Sequence, residues 1–147
     1  MGKMVGRQSR WRCGQTQVQR NRRLDYDVGM NDSTESVAQA FVRAVNRQDL
    51  DGLTALMAPE HRFIDSLGNV VRGREKMRAG WAAYFSMVPD YSIAVEETFC
   101  DGPVVLLLGV AEGTYAPNGE LKLESRWRTP VAIRVDIEDG LVAEWRV

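Results

Sequence analysis

Residues 40–68 read AFVRAVNRQDLDGLTALMAPEHRFIDSLG, and the order of elements in this stretch decides the fold. Val37, Phe41, Ala44 and Val45 recur at helical spacing and make one apolar stripe. Asn46 to Asp49 breaks that pattern. Asp49 is placed to accept the free backbone N–H groups of a second short helix, whose apolar face is Leu50, Leu53, Leu56 and Met57. Pro59 stops anything helical there. Beyond it His61, Phe63 and Asp65 alternate with Arg62, Ile64 and Ser66, which predicts a short strand running into a turn at Ser66-Leu67-Gly68-Asn69. Phe63 and Asp65 then share a face.

Upstream, Asp32 and Glu35 have capping-box spacing and predict that the first helix starts there, just after Met30. Residues 1–29 hold seven Lys or Arg against two Asp and show no sustained period of 2 or 3.6. They read as a basic, disordered arm ahead of a domain spanning residues 30–147. Downstream, Val70 and Val71 extend the chain toward Gly73. Arg74 to Val88 is predicted as the third helix, with Met77, Trp81, Tyr84, Phe85 and Val88 in one stripe and Pro89 as its stop.

The remainder reads as strands. Tyr91, Ile93, Val95 and Phe99 alternate with polar residues, and Asp101-Gly102 signals a hairpin. Val104 to Val110 is apolar on both faces, as a central strand should be. After a turn at Pro117-Asn118-Gly119, the residues Leu121, Leu123, Ser125, Trp127, Thr129, Val131 and Ile133 mark the inward face of a long strand. Lys122, Glu124, Arg126, Arg128 and Arg134 stand opposite. A last strand puts Leu141, Ala143, Trp145 and Val147 on one face and is still in strand pattern at the final residue.

The chain has 147 residues, 44% of them hydrophobic and 27% charged, which suits one domain with a real core. Its formal net charge of −1 combines the basic arm with an acidic body, so the folded part lacks the basic face that a nucleic-acid partner needs. Cys13 and Cys100 lie in segments of opposite character and do not suggest a disulfide framework. No long apolar run and no secretory h-region is present, so the reading is a cytoplasmic protein with no membrane partner. Gly-rich phosphate loops, Cys/His clusters and Ser-His-Asp arrangements are not visible, and no cofactor or metal is expected.

Taken in order, Ala44-Val45-Asn46, Gln48-Asp49-Leu50-Asp51, Ala58-Pro59-Glu60, Phe63-Ile64-Asp65 before Gly68, Gly73-Arg74-Glu75 and Asp139-Gly140 resemble the nuclear transport factor 2-like superfamily. The likeness is strongest to its SnoaL-like polyketide cyclase and ketosteroid isomerase branches and covers roughly residues 33–147. It implies an α+β cone, with about three N-terminal helices packed on a strongly curved, mainly antiparallel sheet and an apolar pocket inside.

By the resemblance, Asp65 matches the isomerases' general base, which needs a dry site that raises its pKa. Asp before a turn also commonly caps that turn, and both roles stay open. The family's oxyanion donors, a Tyr on the first helix and a protonated Asp on a late strand, correspond here to Phe41 and Val131. Neither can donate a hydrogen bond, which weighs against steroid isomerisation. His61 is expected at a strand start and partly exposed, about 13 Å from Asp65 at ~3.3 Å per residue. The epoxide-hydrolase branch uses an Asp-Arg-Asp relay, but Glu124 and Arg126 are predicted to face out of the pocket.

The expected ligand is therefore a small hydrophobic molecule. Phe41, His61, Phe63, Trp81, Tyr84, Trp127, Val131 and Trp145 are its expected contacts, with Asp65 as the one catalytic candidate. Two functions follow. One is a cofactor-independent isomerase or cyclase acting on a hydrophobic carbonyl compound; the other is a ligand-binding or assembly domain without catalysis. A homodimer is expected through the outer sheet face, where Glu124, Arg126 and Arg128 would lie in a row.

Overall fold

The structure is a computed structural model that describes residues 22–147. Helix α1 spans Arg22–Asn46, α2 Leu50–Leu56 and α3 Arg74–Met87. The strands are β1 Met57–Ile64, β2 Val70–Arg72, β3 Ser92–Asp101, β4 Val104–Thr114, β5 Arg126–Glu138 and β6 Leu141–Arg146. They form one sheet in the order β2-β1-β6-β5-β4-β3, antiparallel except for the β1–β6 pair. Three helices on a curved, six-stranded, mostly antiparallel sheet make the α+β cone that the sequence predicts.

Local chemistry sets most boundaries. Asp49 Oδ1 accepts the N–H of Gly52 at 2.9 Å and caps α2. Gly73, at φ +96, precedes α3, and its N–H reaches the His61 carbonyl at 2.8 Å, tying that helix to β1. Gly102, at φ +55, turns the β3–β4 hairpin. The apolar stripes meet inside: Phe41, Val45, Leu53 and Met57 from the N-terminal half pack with Leu107, Ile133, Val135, Val142 and Trp145 of the sheet.

Several expected details differ. Helix α1 is continuous from Arg22, so Asp32 to Glu35 lie within it instead of capping its start. Of the arm expected at residues 1–29, residues 1–21 lie outside the described residues, and residues 22–29 are helical, forming the start of α1. Met57 opens β1 instead of completing the face of α2. Strand β5 begins only at Arg126; Leu121 and Leu123 lie outside it and are exposed, because residues 123–125 form a short 3-10 turn.

Irregular pairing explains two more differences. The β3–β4 register shifts between Val95 and Glu97, so Thr98 and Cys100 turn toward α1 and Phe99 leaves the inward face. Gly109 accommodates this bulge: a Cβ there would lie 2.1 Å from the Ala94 carbonyl oxygen. In β6 the pairing with β5 shifts at residue 143, so Val142 and Trp145 both point into the core while Glu144 points away.

Side chains of α1 hold the edge strand β3: Gln39 Nε2 donates to Thr98 Oγ1 at 3.1 Å, and Asn46 bonds to the strand backbone through both amide atoms. Asn46 Nδ2 donates to the Ile93 carbonyl at 2.9 Å, and the Ile93 N–H donates to Asn46 Oδ1 at 2.8 Å. The amide thus pairs with the strand edge as another strand would. Asn46→Ala removes both bonds and strands two backbone groups, which should cost about 1–3 kcal/mol in urea unfolding. An unchanged midpoint would show that the Asn46 amide adds nothing to the hold of the helix on the sheet.

Candidate functional site

Two aromatic groups pack between the helices and the sheet. The first joins Phe41, His61 and Trp145. Phe41, on α1, stacks on the His61 ring at 6.1 Å and tilts against Trp145 of β6 at 4.7 Å; all three are fully buried. Phe63, which pairs with Trp145 in register, packs against the same core. The second joins α3 to the far side of the sheet. Trp81 lies 6.2 Å from Tyr84, 5.3 Å from Phe85 and 6.4 Å from Tyr91, and Tyr91 lies 5.0 Å from Tyr84 and 6.0 Å from Trp127. Gly113 lets this group close, since a Cβ there would meet Val88 at 2.4 Å and Trp127 at 3.4 Å.

Phe41, Phe63, Trp81, Tyr84, Trp127, Val131 and Trp145 thus all belong to the core or pack on it. Phe85, from the expected α3 stripe, and Tyr91, from the expected alternation with Ile93 and Val95, belong with them, although neither was among the expected ligand contacts. Burial raises the pKa of both Tyr84 and Tyr91, so their hydroxyls stay protonated at neutral pH.

His61 is not partly exposed but wholly buried. The β1–β6 pairing jumps from Met57↔Val142 to Arg62↔Glu144, so the intervening residues of β1 bulge and turn the imidazole inward. Its Nδ1 contacts the Val142 carbonyl oxygen at 2.7 Å, while Nε2 has no hydrogen-bond partner among the described residues. Burial lowers the His61 pKa, opposed by the Val142 hydrogen bond and the charge of Glu144. The ring is therefore neutral at pH 7. Trp81 Nε1 is likewise buried with no partner among the described residues. Each such atom costs about 1–3 kcal/mol in a dry core, so two of them in an aromatic interior call for an explanation.

Asp65 does not occupy the dry, pKa-raising site expected of it. Strand β1 ends at Ile64, and the Asp65 carboxylate sits in the surface turn beyond it. Oδ1 accepts the backbone N–H groups of Leu67 and Asn69, each at 2.9 Å, and Oδ2 accepts from Asn69 Nδ2 at 2.8 Å. Hydrogen bonds from the Asn69 side chain and backbone lower its pKa, the opposite of the expected direction. The turn-capping role accounts for all of this geometry.

On the outer face, Glu144 is almost fully buried between Arg62 and Arg146, the latter at 2.8 Å. Glu60, Arg72, Asp136 and Glu138 line a polar groove around it. The expected row of Glu124, Arg126 and Arg128 is instead Glu112 facing the two arginines, at 3.7 and 3.9 Å, because Glu124 precedes β5. No group of acidic, His or Cys side chains among the described residues could hold a metal. No helix among them is long and apolar enough to cross a membrane.

The lowered His61 pKa has a sign that can be checked. Below about pH 6.5 the unfolded chain takes up a proton that folded His61 resists, so stability should fall as pH drops from 7 toward the folded pKa. The slope from this one group is at most ~1.4 kcal/mol per pH unit. Urea unfolding between pH 7 and 5.5 should show the loss, and His61→Phe should flatten it. A slope that survives the substitution would assign the effect to other groups.

Comparison with known proteins agrees with this architecture. Residues 38–145 match the SnoaL-like domain. No curated protein sequence matches the chain. Among solved structures, an LEH-like epoxide hydrolase from M. tuberculosis superposes with a TM-score of 0.68 at 17% identity, covering 79% of this chain and 81% of its own. A protein from Jannaschia sp. CCS1 classed with the SnoaL-like polyketide cyclases gives 0.69 at 21%, covering 80% and 85%. A protein of ketosteroid isomerase-like fold from Catenulispora acidiphila DSM 44928, solved with trimethylamine, gives 0.65 at 17%, covering 75% and 82%. The ordered motifs, the helices over a curved sheet and the matched span agree, and the chain belongs to the SnoaL-like domain family, within the nuclear transport factor 2-like superfamily.

Proposed function

We propose that this protein binds a small, largely apolar molecule in the space between its helices and its sheet. One observation carries the reading: two buried ring nitrogens, on His61 and Trp81, lack partners inside an interior otherwise walled by aromatic rings. A core that only had to be stable would fill those positions with Phe or Leu and avoid the desolvation cost. Aromatic walls with a few placed polar atoms are the usual composition of a ligand site. The kinship with cyclases and isomerases supports the same reading, although fold alone does not choose among chemistries.

Isomerase or cyclase chemistry with Asp65 as the base is not the reading we favour, since its carboxylate is spent on the turn and Phe41 and Val131 offer no oxyanion donor. Epoxide hydrolysis through Glu124 and Arg126 is disfavoured too, because Arg126 pairs with Glu112 on the exposed side. Binding without Asp65-dependent turnover fits better.

Titration with 1-tetralone should quench tryptophan emission along a saturable curve, and Trp81→Phe should reduce its amplitude. Quenching that rises linearly without saturation, as for free tryptophan, would mean that nothing enters the interior.

The reading includes a homodimer through the outer sheet face. Phe99 pairs across the sheet with Leu106, and Leu108 with Ala132, making an apolar centre in which Leu106 is 37% exposed. Glu97, Glu112, Arg128 and Arg134 flank it in the same registers, and a rim carrying both signs can pair with its own copy across a two-fold axis. Light scattering at micromolar concentration should give twice the 16.5 kDa chain mass, and Leu106→Lys should halve it. A monomer mass for the unaltered chain would remove this interface.

A further inference from the structure

Residues 117–124, between β4 and β5, carry a strand pattern but stand outside the sheet. Leu121 and Leu123 have the parity of Trp127, whose ring packs on the core, yet they are 58% and 81% exposed. The cause lies in β4, which is drawn away at its end toward α3. Asp90 accepts the Thr114 N–H and hydroxyl, each at 2.7 Å, and the Met87 carbonyl accepts the Ala116 N–H at 2.7 Å. The bond from the Tyr115 N–H to the Ser125 carbonyl, at 3.1 Å, is therefore the last rung between the two strands. Among the described residues, every hydrogen bond and ion pair of residues 117–124 stays within residues 116–126. The segment is tied down at both ends and free between them. Gly119, at φ +80, gives it a turn that a residue with a Cβ would strain.

The two anchors adjoin the aromatic group of α3 and β5. Met87 lies three residues from Tyr84, about 4.5 Å along the helix axis, and Ser125 lies two residues from Trp127. Tyr91 sits between Tyr84 and Trp127, at 5.0 and 6.0 Å, and all three are only partly buried. Two exposed leucines and a half-covered aromatic group are thus joined by short lengths of chain. We propose that residues 117–124 are a strap that closes over this group, with Leu121 and Leu123 turning onto Tyr84, Tyr91 and Trp127. Burial of apolar surface on both sides drives the closing. Ordering of the strap opposes it, so open and closed forms exchange and the strap sets how often the aromatic group meets solvent. The strap needs no bound molecule and does not depend on the interior being a ligand site.

Fluorine NMR of the full chain labelled with 5-fluorotryptophan reads the exchange, with the Trp127 resonance identified by its loss in Trp127→Phe. Trp127 should show microsecond-to-millisecond relaxation dispersion, and Trp145, in the other aromatic group, should show none. Leu121→Asn combined with Leu123→Asn should abolish the Trp127 dispersion and increase its relaxation by a soluble gadolinium chelate. Both leucines face water, so this variant should fold. Leu67→Asn, at another solvent-facing leucine in the turn after β1, should change neither readout. A flat Trp127 profile in the unaltered protein overturns the strap whatever the variant does, and so does a dispersion that survives loss of both leucines. A double variant whose light-scattering mass is half that of the unaltered protein also overturns it, since the leucines would then form an interface with a second copy.

Discussion

The parallel pairing of β1 with β6 is the constraint on which the rest of the structure depends. It joins residues near the middle of the chain to residues at its end, and it does so in two registers, Met57↔Val142 and Arg62↔Glu144. Five residues of β1 therefore span a stretch that two cover on β6. The surplus turns His61 into the core, where its ring nitrogen takes the carbonyl of Val142. A regular ladder would pair the strands throughout and leave no room for that bond.

A second shift, at residue 143 against β5, sets the two faces of β6. Trp145 and Val142 reach the core, and Glu144 is pushed to the outer side, almost without contact with water. A buried carboxylate is costly unless paired, and Arg62 and Arg146 supply the pairing. Glu144 in turn adds a field that partly offsets the desolvation of His61. The buried imidazole and the buried carboxylate, on opposite faces of neighbouring strands, are electrostatically linked.

The interior has moved away from the acid–base apparatus that its resemblance implies. Phe41 is in van der Waals contact where an oxyanion donor would stand, Val131 is a core residue of β5, and Asp65 has become a turn cap. What the cone keeps is its aromatic walls. The polar atoms of those walls include the ring nitrogens of His61 and Trp81 and the hydroxyls of Tyr84 and Tyr91.

Much of this was legible in the residues. The helical stripes, the Asp49 cap, the Asp101-Gly102 hairpin and the central position of β4 follow from spacing and turn chemistry, because those forces act over a few neighbouring residues. The inward placement of Phe41, Trp81, Trp127 and Trp145 follows for the same reason. Alternation could not locate the shifts at residues 58–61, 96 and 143, since a bulge exists only in relation to a partner strand. Those shifts decided that Phe99 leaves the core and that Val142 enters it. Asp65 failed for a related reason: its partners are backbone N–H groups of the following turn, so whether it faces a pocket depends on where β1 ends. The chain itself determined the family, the order of its elements and the aromatic content of its interior. Which polar atoms that interior presents was decided only when distant strands chose their register.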